Sequence, residues 1–256
     1  DLWLQNDPGN SYFTITDDFV MFHVPDVAYF LIRNGNEIYF SPINNCEEDS
    51  LRLYILGTCM GIILLQRRIL PLHGSSICIN GKAYAIVGDS GAGKSTLAKA
   101  FLNRGYQLIS DDIVPVSFTE DGIPIVTPSY PQQKLWIESL NHFGLESEQF
   151  KPLVDREMKF SVPVSAQFIN EPIPFGGIFE LVKTESEDVS VIPIIKMECF
   201  HTLFNHTYRN FILSRANLID WHFEISTKLV NKVPLYQISR PLSRFTAYEI
   251  TELMLN

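Results

Sequence analysis

Residues Gly88-Asp89-Ser90-Gly91-Ala92-Gly93-Lys94-Ser95 constrain the backbone of this chain more than any other stretch. They fit the pattern G-x-x-x-x-G-K-[ST] at every defined position. A loop that wraps a phosphate must turn its backbone N–H groups inward, which requires angles that residues with a Cβ resist and glycine accepts. The apolar run Ala83 to Val87 before the motif reads as a strand, and Lys94 to Arg104 reads as a helix stopped at Gly105. The positive end of that helix adds to an anion site. The ligand implied is a nucleoside triphosphate, lined by Gly88, Asp89, Ser90, Gly91, Ala92, Gly93, Lys94, Ser95 and Thr96. Lys94 is expected to reach the β and γ phosphates, and Ser95 to put its hydroxyl on a divalent metal.

Beyond the loop, Ser110-Asp111-Asp112 follows the apolar pair Leu108-Ile109. Consecutive strand residues point to opposite faces, so both carboxylates reach one site only if the strand of Tyr106 to Ser110 has already ended. Phosphoryl transfer uses two such groups, one near the metal and one accepting the proton of an attacking hydroxyl. His73 in Leu72-His73-Gly74 precedes the strand that leads into the motif, where a lone histidine is ordinarily structural. His201 and His206 do not share a helical face and predict no metal pair, and Arg209 reads as a surface residue.

With 256 residues, 46% of them hydrophobic and 19% charged, the chain can build a large core. A net charge of −9 disfavours broad binding to nucleic acid or to an anionic membrane. Cys46, Cys59, Cys78 and Cys199 match no zinc-ligand spacing and no disulfide framework, so reduced thiols and a cytoplasmic setting are expected. The most apolar stretch, Leu53 to Leu65, is shorter than the ~20 residues of a membrane span and reads as a buried helix. The first residue is Asp1 rather than Met, so further N-terminal residues are expected in the natural protein.

The pattern along the chain predicts two regions. Residues 1–68 read as β-rich, with strands at Tyr12 to Ile15, Ala28 to Ile32 and Glu37 to Phe40, a turn at Asn34-Gly35-Asn36, and one helix from Asp49 or Ser50 to Arg67-Arg68. Residues 69–256 read as an α/β domain. Strands are expected at Ser76 to Ile79, Ala83 to Val87, Ile178 to Val182 and Val189 to Ile195, with helices at Asn217 to Asn231 and Ser243 to Leu255. The segment 119–131, interrupted by Pro124, Pro128 and Pro131, is expected to border the site as strand edges and loops.

Leu72-His73-Gly74, the phosphate loop, and Arg104-Gly105-Tyr106-Gln107-Leu108-Ile109-Ser110-Asp111-Asp112 together resemble the catalytic core of HPr kinase/phosphorylase. Val24 to Ile32 and Lys232-Val233-Pro234-Leu235-Tyr236 are similar to shorter relatives of that family, and length and ordering resemble the homologues found beside lasso peptide biosynthesis genes. The resemblance implies a P-loop kinase domain of HPr kinase/PEP-carboxykinase-like type, with a small N-terminal β-rich subdomain. It implies Asp111 as catalytic base, Asp112 serving the metal with Ser95, and His73 and Lys94 on the phosphate side. The family's glycine signature is matched loosely by Phe175-Gly176-Gly177-Ile178-Phe179-Glu180, and Glu171 stands one position from the expected acidic metal residue. The basic loop linked to phosphorolysis has no counterpart, which leaves open whether the reverse reaction occurs.

The expectation is therefore an ATP- and Mg²⁺-dependent kinase, with Mn²⁺ an acceptable substitute, acting on a serine hydroxyl. The favoured partner is a ribosomal precursor peptide of the lasso type, phosphorylated on its C-terminal serine. A kinase for HPr or for a small metabolite is the alternative enzyme, and an ATP-sensing module the alternative from another class. Neither nucleic acid nor membrane is an expected partner, and self-association into a homo-oligomer is compatible with the resemblance.

Overall fold

The computed structural model describes residues 12–153 and 156–255. Contacts divide these into two compact units, one of residues up to Leu70 together with Arg209–Phe223, the other of Pro71–Tyr208 together with the residues from Glu224 onward.

In the first unit, β1 (Phe13–Ile15), β2 (Phe19–Val24), β3 (Ala28–Arg33) and β4 (Glu37–Pro42) form an antiparallel meander. The β3–β4 turn has Asn34 and Gly35 at φ 58° and 67°, the left-handed pair that matches the twist of a hairpin. Residues Glu48–Tyr54 (α1), a π turn at Ile55–Cys59 and Met60–Gln66 (α2) run on as one mostly buried helix, as the apolar stretch predicts. Ile62, Ile63 and Leu65 pack on Phe22, Phe30 and Ile32 of the sheet. At the helix end, Arg67 Nε donates to the Gly35 carbonyl at 2.5 Å and Gln66 Oε1 accepts the Gly35 N–H at 2.9 Å, which ties the helix to the hairpin turn.

The second unit is built on a seven-stranded sheet. Its strands are β5 (Leu70–Ile79), β6 (Lys82–Val87), then helix α3 (Lys94–Asn103), β7 (Gln107–Phe118) and β8 (Pro124–Val126). A separate three-stranded sheet follows, of β9 (Gln132–Trp136), helix α4 (Ile137–His142), β10 (Lys151–Leu153) and β11 (Arg156–Pro163). The chain returns as β12 (Ile173–Thr184), β13 (Ser190–Ile194), helix α5 (Met197–Asn205), β14 (Leu235–Pro241) and helix α6 (Ala247–Leu255). The strand order is β13-β14-β12-β6-β5-β7-β8, with β12 parallel to both β6 and β14 and β5 antiparallel to β6. Leu97, Phe101 and Leu102 of α3 are buried against Ile77, Ile86, Leu108, Leu181 and Ile250, so the helix behind the phosphate loop is the centre of the core. Truncating Phe101 there costs about 3–5 kcal/mol.

Two expectations are corrected. The strand expected to stop at Ser110 continues to Phe118, and both aspartates lie within it. Asp112 takes φ 82°, a left-handed step that breaks the alternation of faces without ending the strand. The expected helix from Ser243 begins only at Ala247, after a turn containing Ser243 and Arg244. Among the described residues no helix is long and apolar enough to cross a membrane.

Candidate nucleotide and transfer site

Gly88 to Gly93 form the turn from β6 into α3. Gly88 has φ 144°, Gly91 φ 75° and Gly93 φ 103°. A Cβ on Gly88 would stand 2.5 Å from the Leu181 carbonyl oxygen, so close packing against β12 as well as backbone angle demands glycine there. The Lys94 ammonium folds back on the loop and donates to the carbonyls of Gly88 (2.8 Å) and Asp89 (3.0 Å). Burial, and then the nearby Lys159 charge, hold Lys94 below its ordinary value. Asp89 and Ser90 expose their side chains, while Ala92 is buried. The Thr96 hydroxyl is turned to the Ser139 hydroxyl at 2.7 Å.

The two aspartates have different surroundings. Asp111 is 3% exposed, and its Oδ1 accepts the Ser95 hydroxyl at 3.0 Å and the Ser75 hydroxyl as well. Its Oδ2 accepts the Lys134 backbone N–H at 2.8 Å. With three donors, this carboxylate is fixed in place and hydrogen-bonded on both oxygens. The family resemblance implies Asp112 beside Ser95 at the metal; in the structure the Ser95 hydroxyl donates to Asp111.

Asp112 meets the Lys134 ammonium at 2.6 Å. Burial opposes its charged form, but nearby positive charge, that of Lys134 first, outweighs burial and holds the carboxyl below the usual range. Burial lowers Lys134, but Asp112, Tyr130 and Asp111 together outweigh it, so the ammonium is raised. His73 Nδ1 lies 3.0 Å from the Asp112 carbonyl oxygen and 3.7 Å from its Oδ1. Burial, then repulsion from Lys94, pushes the imidazole below its ordinary value, so the ring is neutral near pH 7. A neutral ring at that distance donates Nδ1–H to the carbonyl, and this bond steadies the left-handed backbone of Asp112. The longer carboxylate approach then carries no full ion pair.

A supporting network lies beside His73. The His73 N–H donates to the His206 carbonyl at 2.7 Å, and the His206 Nε2 is 2.8 Å from Glu180 Oε1. Gln237 Nε2 donates to the other Glu180 oxygen at 2.9 Å. The His206 contact first, and the Gln237 bond after burial's opposing effect, keep the Glu180 carboxyl below its usual range. His201 is separate, 3.9 Å from Glu198 on the exposed face of α5. Glu171, in the turn before β12, is exposed.

Thus β5, the phosphate loop and β7 bring His73, Lys94, Ser95, Asp111 and Asp112 together, with β9 adding Lys134. Lys134 was missed by sequence reasoning, as were Ser75, Glu180, His206 and Gln237. The signal for Lys134 was present: Gln132-Gln133-Lys134 are three long polar residues in a strand-length run that ends on Leu135-Trp136. No group of three or more His, Cys, Asp or Glu side chains able to hold a metal occurs among the described residues. Mg²⁺ bound with a nucleotide needs only one or two carboxylates besides phosphate oxygens, and Ser95 with Asp111 fits that requirement.

No family model matches the chain. HPr kinase/phosphorylase of Burkholderia lata is 31% identical over 177 residues, covering 68% of this chain and 51% of that protein. The enzyme of the same name from Burkholderia cenocepacia is 30% identical over 177 residues, with the same shares. The chain spans about half the length of the curated relatives it matches. The solved Hpr(Ser) kinase/phosphatase from Coxiella burnetii is 14% identical and covers 72% of this chain and 93% of its own, with a TM-score of 0.36. By sequence, 177 residues of this chain are similar to HPr kinase/phosphorylases.

Proposed function

We propose that the chain is an ATP- and Mg²⁺-dependent kinase that transfers the γ-phosphate to a serine hydroxyl. The observation that carries this reading is the division of labour between Asp111 and Asp112. One carboxylate is tied to the phosphate-loop serine at 3.0 Å, and its neighbour in sequence faces a lysine and a histidine instead. A nucleotide sensor has no use for a second carboxylate beside the γ-phosphate.

The roles implied by the family resemblance are exchanged in this proposal. Ser95 and Asp111 would hold the metal, and Mg²⁺ bound there would supply neutralisation of phosphate charge. Asp112 accepts the proton. The serine oxygen attacks the γ phosphorus, its proton passes to an Asp112 carboxylate oxygen, and the bond from phosphorus to the β–γ bridging oxygen breaks to release ADP. Lys94 follows the charge that builds on the leaving oxygens, the loop amides hold the phosphates before and during transfer, and His73 holds the backbone of Asp112 in register. A catalytic base with a low pKa is a weak one, so Lys134 must turn from Asp112 toward phosphate before transfer.

For the acceptor, the name of the relatives supports HPr, and the resemblance in length and ordering supports the C-terminal serine of a lasso peptide precursor. We favour the peptide. The test is mass spectrometry of serine-terminated peptides and of HPr after incubation with the protein, ATP and Mg²⁺. Asp112→Asn should bind ATP as the wild type does and add no phosphate. Unaltered transfer by Asp112→Asn would remove the proposed base. Phosphate on HPr alone would make HPr the acceptor.

A further inference from the structure

Strands β12 and β14 bring two cations to the outside of the phosphate loop. Lys183 and Arg240 are register partners on the parallel pair β12–β14. Like charges on neighbouring strands repel, so this placement costs stability unless something nearby compensates. Part of the compensation is visible. Arg240 Nε donates to the Ala92 carbonyl at 2.6 Å, and Arg240 Nη2 is 3.5 Å from the Gly91 carbonyl. The same guanidinium lies over Gly93, where an added Cβ would stand 3.4 Å from Nε, and the Lys183 ammonium lies 3.4 Å from the corresponding position on Gly91.

The consequence comes from peptide geometry. No cis peptide occurs among the described residues, so the Ala92–Gly93 unit is planar and trans. Its C=O and N–H therefore point in opposite directions. With the Ala92 carbonyl held on the Arg240 side, the Gly93 N–H is turned the other way, and among the described residues it donates to no backbone carbonyl. The Ala92 N–H is already used, donating to Asp89 at 3.1 Å. Gly93 at φ 103° has no side chain to lock this orientation, and its peptide would otherwise flip at little cost.

We infer that Arg240 is a positioning residue for the phosphate loop, holding the Ala92–Gly93 peptide with its N–H directed at the nucleotide phosphate. The inference rests on the nucleotide-binding reading above. Arg240 touches no reacting atom. It prepays the ordering of one amide donor, and its charge on the carbonyl makes the opposite N–H a stronger donor. Such an interaction acts on substrate and transition state alike, so its loss appears in KM rather than in kcat.

The test is calorimetric titration of MgATP into the wild type, Arg240→Ala, Arg240→Lys, and Arg240→Ala with millimolar guanidinium ion, beside turnover at saturating ATP and thermal unfolding without nucleotide. The expected result is an affinity for ATP about ten- to a hundred-fold weaker in Arg240→Ala, the loss of one charge-assisted hydrogen bond. Arg240→Lys and added guanidinium should recover part of it, with kcat and nucleotide-free unfolding held near the wild type. Unchanged affinity in Arg240→Ala would overturn the inference while leaving the nucleotide reading intact. Weaker binding that follows a matching fall in nucleotide-free stability, with no rescue, would also overturn it. A wild type that binds no nucleotide would overturn the underlying reading and this one with it.

Discussion

The Lys134 ammonium stands 2.6 Å from Asp112 Oδ2, with side-chain exposures of 10% and 20%. A pair so withdrawn from water is expensive to break from one side, because the survivor is left as an uncompensated charge. Lys134→Met should therefore lower stability by about 3 kcal/mol. Lys134→Met combined with Asp112→Asn should recover much of the loss, since neither partner then carries charge. Urea unfolding of the two singles and the double closes the cycle, and additive losses would mean that the pair is not coupled.

Asp111 and Asp112 should fail in different ways. Asp112→Asn is expected to reduce transfer by at least about a hundredfold with ATP affinity retained. Asp111→Asn, beside Ser95, should raise the Mg²⁺ concentration needed for half-maximal rate. Steady-state rates over a Mg²⁺ series would separate the two, and identical Mg²⁺ dependence in both variants would contradict the exchanged roles.

Gly88 and Gly81 both have positive φ, but only Gly88 has a neighbour in the way. Gly88→Ala must push the Leu181 carbonyl or move the loop, with an expected cost of about 2–4 kcal/mol and loss of nucleotide binding. Gly81→Ala has nothing within 4 Å of the new methyl and pays only the left-handed backbone, about 1 kcal/mol, with binding retained. Thermal unfolding and ATP titration of the two variants check the contrast.

His222, in the helix Ile219–Val230, is 5% exposed, and burial pushes its imidazole down to about 4. In the unfolded chain it titrates near 6.5, so between those values the unfolded state binds the extra proton. Stability attributable to this group is complete above pH 6.5 and is lost as the pH falls toward 4, on the order of 3 kcal/mol in all. His222→Leu should flatten the fall in unfolding free energy across that window, and an unchanged slope would assign the acid sensitivity elsewhere.

The features written in local sequence were legible. Gly88 to Ser95 announces its own loop, and Asn34-Gly35, Asn80-Gly81 and Gly105 mark turns and a helix end, because positive φ selects those residues directly; their φ values are 58°, 67°, 50°, 74° and 88°. Strand continuity at Asp112 was not legible. Two adjacent aspartates read as the end of a strand, and only tertiary donors from β5, α3 and β9 make the burial of Asp111 tolerable. The small sheet carrying Lys134 escaped for a related reason: β9 and β11 are separated by nineteen residues, and their pairing of Leu135 with Phe160 has no local signature. That the Ser95 hydroxyl meets Asp111 rather than Asp112 is a tertiary contact that spacing does not encode.

The Arg240–Ala92 contact joins residues 148 apart in sequence. Contacts of such separation form late, since the chain entropy of closing the intervening segment must be overcome before they contribute. During refolding, helical signal should return before the ability to bind nucleotide tightly, because β6 and α3 assemble from neighbours while the brace on their connecting loop waits for β14 to enter the sheet. Nucleotide affinity thereby reports on completion of the whole second unit, and a chain stalled before β14 docks would present a recognisable phosphate loop that holds its ligand poorly.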